Sequence, residues 1–258
     1  MQLTSRFRIK RIESIVNFLN DVHVGRLATI DENGYPQVIP MNFVHFVSRL
    51  DTSSRSDYAS KTNNGLDKKA DVSIEKEVLK KNLMTDANSE TYKHSIYMHS
   101  HHKGEKIENL VRNQKVGFEV DKEICFLPSY YFHPSDASFA DTLYTSIVIK
   151  GKAVIVTDNK EKALAMNKMM QKYQPEGKYS ILTPESKSII YLTVIRIDVE
   201  NIEGKFKIGQ EWTSSFRKEI ANKIIEREGV QKSKEILKDM KINILENGDF
   251  ELPFSLSL

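Results

Sequence analysis

Sulfur crosslinks are nearly absent from this chain of 258 residues: Cys125 is its only cysteine. Neither an intramolecular disulfide framework nor a cysteine-rich zinc module is therefore available. Charge of one sign is equally scarce. Lysine and arginine number 38 against 35 aspartates and glutamates, a formal net charge of +3. So small an excess gives no bulk field for nucleic acid or an anionic membrane, though it leaves room for a local basic pocket that takes a small anion. Long apolar runs are missing too. The opening MQLTSRFRIKRIESIVNFLN has no apolar core of signal-peptide length, and no stretch approaches the roughly 20 apolar residues needed to cross a bilayer as a helix. The expectation is a cytoplasmic protein. No Gly-x-Gly-x-x-Gly follows a strand-like run, so a resident dinucleotide is not indicated. What remains is ordinary globular material, 40% hydrophobic and 28% charged, long enough to bury a core without staples.

Strands outnumber helices in the pattern. RIESIVNFLND places Ile12, Ile15, Val16 and Leu19 at helical spacing. VGRLATI, DENG and YPQVIPMNFVHFV then read as strand, turn and strand, with Asn33-Gly34 as the hairpin signal. Pro36 and Pro40 donate no ladder hydrogen bond, so the second run is expected at a sheet edge or broken at a bulge. Residues 48–93 are polar and charged, and are expected to be an insertion, with a modest helix in DVSIEKEVLKKNLM. Order resumes with a strand in SIYMHS, a helix from about Gly104 to Arg112, a strand in QKVGFEVD and a long bent strand or a pair in LYTSIVIKGKAVIVTD. A helix capped by Asp158 or Asn159 follows, then a strand over SIIYLTVIRIDVENIEG and two charged helices broken at Gly229. This is not the strict alternation of a parallel sheet. The fold class expected is mainly β with attached helices, an antiparallel barrel closed or partly closed. The division expected is a barrel domain over 1–210 and a helical extension over 211–258.

The stretch YMHSHHKGEKIENL (97–110) admits three chemistries. Clustered histidines suit zinc, and the run partly resembles the His-x-His-x-Asp-His motif of metallo-β-lactamase-like hydrolases. Here Lys103 and Gly104 stand where that motif needs an acid, so no metal is assigned. A strand that passes through a glycine into a helix offers unpaired N–H groups and the positive end of a dipole, and Lys106 adds a full charge; that suits a phosphate. A solvated polar connection is the third reading.

Four segments in order resemble the flavin-binding split-barrel family of pyridoxamine 5'-phosphate oxidase, and within it the nitroimidazole-reductase branch: VGRLATIDENGYPQVIPMNFVHF, YMHSHHKGEKIENLVRNQKVGFEVD, LYTSIVIKGKAVIVTDNKEKALAMNKMMQKYQPEG and IRIDVENIEGKFKIGQ. The resemblance implies an antiparallel split β-barrel that binds FMN, with FAD as the other flavin. It implies that His99, Ser100, Gly104, Lys106 and Ile107 hold the phosphate and ribityl chain, with hydroxyls from Tyr144 and Ser146. Ile39, Pro40, Met41, Asn42 and Phe43 would lie along the isoalloxazine. Arg26 is a second phosphate cation or a surface residue, and His101 and His102 depart from the small residues of the family. The resemblance also implies a homodimer with flavin at the subunit interface, a small-molecule electron donor such as reduced nicotinamide, and a small acceptor. Trp212, Phe216 and Ile220, at roughly helical spacing, would serve that interface or their own barrel. The competing expectation is a non-catalytic relative that holds a flavin, a deazaflavin or haem, with His99, His101 or His102 as the iron ligand.

Overall fold

The computed structural model describes residues 5–49, 92–245 and 248–252; the helix expected in 71–84 lies outside them. Seven strands form one antiparallel sheet: β1 (Val24–Ile30), β2 (Pro36–Asn42), β3 (Val44–Arg49), β4 (Tyr92–Ser100), β5 (Lys115–Leu127), β6 (Asp141–Val156) and β7 (Thr193–Lys207). Their order is β2-β1-β5-β6-β7-β4-β3. The helices are α1 (Ile12–Asp21), α2 (Glu105–Arg112), α3 (Asn159–Tyr173), α4 (Lys187–Tyr191), α5 (Ser214–Glu228) and α6 (Val230–Asp239). Among the described residues no helix is long and apolar enough to cross a membrane.

The turn after β1 spans five residues rather than the two of a tight Asn-Gly hairpin. Asp31 organises it: one carboxylate oxygen accepts the N–H groups of Asn33 and Tyr35, both at 2.8 Å, while Gly34 supplies the positive φ of +86°. The run from Tyr35 to Val47, expected as one strand, is two. Its halves pair with β1 and β4 respectively, so each is an edge of the sheet. The prolines are thereby tolerated, because an edge strand needs ladder donors on one side only. Since the two edges are consecutive in the chain, the sheet curls until they meet at Phe43, and the result is a split barrel.

Phe43 is the corner. Its side chain is fully buried and packs edge-on against Phe118, with ring centroids 5.2 Å apart. Its backbone N–H donates to Tyr173 Oη at 2.9 Å, and its carbonyl accepts from Tyr173 Oη and Lys172 Nζ at 3.1 and 3.3 Å. The end of α3 therefore clamps the point where the edges part. Inside the barrel, Leu27, Ile96, Phe118, Ile147, Ile149 and Ile197 are buried together from five strands, and α1 covers one end with Ile15 and Leu19. Each such side chain contributes roughly 1.5–3 kcal/mol on burial.

β6 is one strand, irregular between Lys150 and Gly151. Asp158 caps α3 by accepting the N–H of Lys160. Residues 188–191, expected as the start of the last strand, fall instead in the short helix α4. Pairing of β7 begins only at Thr193 and Val194, opposite the ends of β4 and β6, so earlier residues have no strand to join. Helices α5 and α6 separate at Gly229, whose φ is +77°. They pack Ile220, Ile224, Leu237 and Met240 against Leu127 and Leu143 of β5 and β6, with Trp212 and Phe216 alongside. The chain's own barrel thus takes up this face. A two-stranded hairpin, β8 (Asn243–Ile244) with β9 (Phe250–Glu251), completes the second core.

Candidate functional site

β4 ends at Ser100, and the turn through His101, His102 and Lys103 delivers the chain to α2. Gly104 precedes the helix with φ +124° and no capping side chain. A β-carbon there would meet nothing within 4 Å, so the position calls for glycine by conformation rather than by crowding. The N–H groups of Ile107 and Glu108 return to Gly104 O. Those of Glu105 and Lys106 have no partner among the described residues, as expected for the first turn of a helix.

The helix is held in place from below. Asn109, 1% exposed, donates to Thr29 Oγ1 at 3.1 Å and Gln37 Oε1 at 3.3 Å. Leu110 and Ile107 enter the barrel core. This fixes the first turn beside β2, where Lys106 Nζ reaches Met41 Sδ at 3.5 Å. Burial lowers the pKa of Lys106, and no carboxylate pairs with it among the described residues. A half-buried ammonium without a counter-ion, next to two unpaired N–H groups, is chemically suited to an anion. Glu105 in the same turn carries the opposite charge, but its side chain is exposed.

The predicted ring contacts divide. β2 pairs on one side only, leaving alternate backbone groups free for a ligand's polar edge. Pro40 and Asn42 are exposed and Ile39 is partly buried against the core. Met41 is 8% exposed and Phe43 fully buried. The Phe43 side chain therefore belongs to the core and offers no surface to a ring. His99 is exposed, and Ser100 Oγ donates to His101 O at 2.9 Å. His101 and His102 are exposed with ring centroids 4.2 Å apart. No group of three or more metal-ligating side chains occurs among the described residues.

Tyr144 and Ser146 lie apart from this cluster, on the outward face of β6. Ser146 Oγ donates to Glu119 Oε1 at 3.1 Å. Glu119 accepts from Arg26 at 3.0 Å, and Arg26 also pairs with Asp121. Burial, then the neighbouring Asp121, raises the pKa of Glu119; hydrogen bonding to Asp121 is the main cause that raises Arg26. A phosphate beside Ser146 would meet two carboxylates, with the guanidinium already engaged. Arg26 is thus committed to carboxylates within its own chain. Lys205, opposite Ser146 in the ladder, is 5.1 Å from the Tyr144 ring. The helix start and Met41 are brought together; Tyr144 and Ser146 are not joined to them by any hydrogen bond or ion pair among the described residues.

Two features escaped sequence reasoning. Glu119 and Asp121, at alternate positions of β5, share a face with Arg26, which only the strand register reveals. His45 and His94 form a buried pair, Nε2 to Nδ1 at 3.0 Å, with the second ring nitrogen of His45 unpartnered. Far apart in the chain, they meet through the β3–β4 ladder.

This arrangement, a curled antiparallel sheet with an anion-receptive helix start over one edge, defines the class: an antiparallel split β-barrel with attached helices. Residues 82–206 match the family model of pyridoxamine 5'-phosphate oxidase. Among solved structures, the flavocytochrome Anf3 of Azotobacter vinelandii is 15% identical, with a TM-score of 0.50 over 78% of this chain and 69% of its own. The candidate 5-nitroimidazole antibiotic resistance protein of Bacteroides thetaiotaomicron is 19% identical, with a TM-score of 0.48 over 77% of this chain and 85% of its own. The FAD and haem binding protein of Mycobacterium smegmatis is 10% identical, at 0.49 over 78% and 73%. No curated protein matches the chain.

Proposed function

We propose that this protein is a flavin-dependent oxidoreductase that takes FMN, draws on reduced nicotinamide, and reduces a small acceptor of the nitroimidazole kind. The observation that carries the reading is the helix start: Lys106 without a carboxylate partner, beside two unpaired backbone N–H groups and a glycine. These fit a phosphate monoester. Gly104 and Lys106 would hold it, with His99, Ser100 and Ile107 along the ribityl chain. Ile39, Pro40, Asn42 and the free edge of β2 would meet the ring, and Met41 would lie beneath Lys106. Bound there, the flavin would supply the electron-transfer chemistry. The chain's own groups orient it, neutralise its phosphate and leave one ring face open for donor and acceptor.

The same reading includes a homodimer. The outward face of β2 and β1 carries Val24, Ile30 and Val38, exposed by 45%, 37% and 56%, and it continues onto Tyr144 and Ser146. A second copy on that face would bring Tyr144 toward the composite site, while Ser146 stays bonded to Glu119. An absorption spectrum of the purified protein, followed by mass analysis of the released chromophore, tests the reading. A flavin spectrum with FMN released is the expected outcome. A Soret band assigns the site to haem instead, and colourless protein that fails to take up added FMN overturns the flavin reading altogether.

A further inference from the structure

His45 and His94 meet in the wall of the barrel with no acid bonded to either ring among the described residues. The rings are parallel to within 5°, with centroids 5.2 Å apart, and Nε2 of His45 lies 3.0 Å from Nδ1 of His94. Two ring radii and that bond account for the whole separation, so the rings lie edge to edge in one plane, joined by a well-aligned N–H···N bond. Each neutral imidazole carries one proton. One of the two therefore occupies the bond, and the other sits on an outer nitrogen, His45 Nδ1 or His94 Nε2. His45 is 3% exposed and its Nδ1 has no partner; His94 is 9% exposed and holds no such orphan. The outer proton thus belongs to His94, and His45 donates through Nε2 with a bare lone pair at Nδ1.

A third proton has one place to go. It lands on His45 Nδ1, where nothing accepts it, and the surroundings are basic: Lys168 and Lys172 of α3 both act on His45. On α1, Asp21 acts on Lys172, and Glu13 bonds to neither ring. Lys93, Arg196 and Asp198 occupy the far face of the sheet with Ser95 and Tyr97, and β2 carries no charged residue. The strand that bears His45 is an edge. β3 pairs with β4 alone, through six rungs, while its start is pinned separately by Lys172 and Tyr173 at Phe43.

We propose that this pair is an acid-operated latch: protonation of His45 releases β3 from β4 as a unit, hinged at Phe43, while the rest of the sheet stays folded. Detaching an edge gives the cation water at the loss of a single ladder, less than any inner strand would lose. The latch does not depend on the flavin reading. Its sign follows from proton binding. In the attached strand burial foremost, then His94 and the two lysines, hold His45 well below its ordinary pKa. The released strand takes up the proton at that ordinary value, so attachment weakens as pH falls below about 6.5, by at most about tenfold per pH unit for one proton.

Amide hydrogen exchange of the full chain, corrected for the intrinsic rate at each pH, reads the latch. From pH 7 to 5.5 the bonded amides of β3 should lose protection by about fivefold or more, while those between β5 and β6 keep theirs within about twofold. The double variant His45→Gln/His94→Gln, whose amides keep a bond and do not titrate, should lose less than about twofold over the same range. Ring nitrogen-15 spectra of the unaltered protein at pH 7 should show both histidines protonated at Nε2. These spectra and the exchange of the unaltered protein decide the matter even where the double variant does not fold. Protection of β3 that is flat with pH, protection lost from the whole sheet in step, His45 protonated at Nδ1, or a double variant as acid-sensitive as the unaltered protein would each overturn the latch.

Discussion

Lys172 stands where three parts of the chain meet, and its ionisation should be readable in the stability of the whole barrel. Its ammonium donates to the carbonyls of Leu19 at 2.8 Å, Val22 at 2.6 Å and Phe43 at 3.3 Å, and lies 3.9 Å from the Phe43 ring centroid. It thus closes the last turn of α1 and ties it to the corner between β2 and β3. Burial pulls its pKa down from 10.5 to about 8, against an opposing pull from Asp21. That displacement corresponds to roughly 3 kcal/mol; discounted for the part of the side chain that water still screens, about 2 kcal/mol remains. The sign follows from proton binding. Below pH 8 both folded and unfolded chains carry the charge, and the burial cost is borne in full. Between about pH 8 and 10.5 the unfolded chain holds the extra proton, so stability rises across that window. Lys172→Met keeps the bulk and removes the titration. Urea unfolding of both proteins at pH 7, 8, 9 and 10 should show the variant less stable at pH 7 by about 1–3 kcal/mol, from carbonyls left unmet. The gap should widen by about 2 kcal/mol toward pH 10. Tyrosines that titrate in the same range cancel in the difference. A gap that is flat or narrows with pH would refute the assignment of a buried, carbonyl-bound ammonium.

The His45–His94 pair works in the opposite limb: burial first, then His94, Lys168 and Lys172, hold His45 neutral well below its ordinary pKa. Stability should fall as pH drops below about 6.5, by at most about 1.4 kcal/mol per pH unit for this group, and His45→Phe should flatten that slope in denaturation followed from pH 7 to 5. For the proposed flavin site, Lys106→Ala should weaken FMN more than riboflavin by roughly 1.5–3 kcal/mol, a charge-assisted hydrogen bond, measured by flavin fluorescence quenching; equal losses would remove Lys106 from the phosphate. In Gly151→Ala the new methyl would lie 2.3 Å from the backbone oxygen of Asp198. Because backbone rather than a flexible side chain must yield, a loss of about 1–3 kcal/mol is expected, read as a lowered melting temperature, and a neutral result would show that β6 and β7 can part there freely.

Local patterning carried much of this architecture in advance. Prolines in PQVIPMN announced an edge strand, and the break at Gly229 and the cap at Asp158 stand where their chemistry placed them. What stayed hidden depended on partners distant in the chain. Nothing in FVHF distinguishes Phe43, sealed at a corner by residues of α3, from a side chain free to meet a ligand. SIIY has the β-branched composition of a strand, yet it coils because its neighbours have already ended. In the candidate site, the glycine and lysine of HHKGEKIENL were legible as an anion-receptive turn. Ser146 was read as a free hydroxyl because its acceptor, Glu119, is 27 positions away and reaches it only across the β5–β6 ladder.

Arg49 and Tyr92 face each other as the last rung of the β3–β4 ladder. A wide gap in numbering is thus no gap at all in the weave. The six rungs from Val44 and Tyr97 to Arg49 and Tyr92 hold whatever the numbering between them. One residue gained within β4 itself, by contrast, would turn every later side chain of that strand to the wrong side. The register is kept by the ladders, not by distance along the chain.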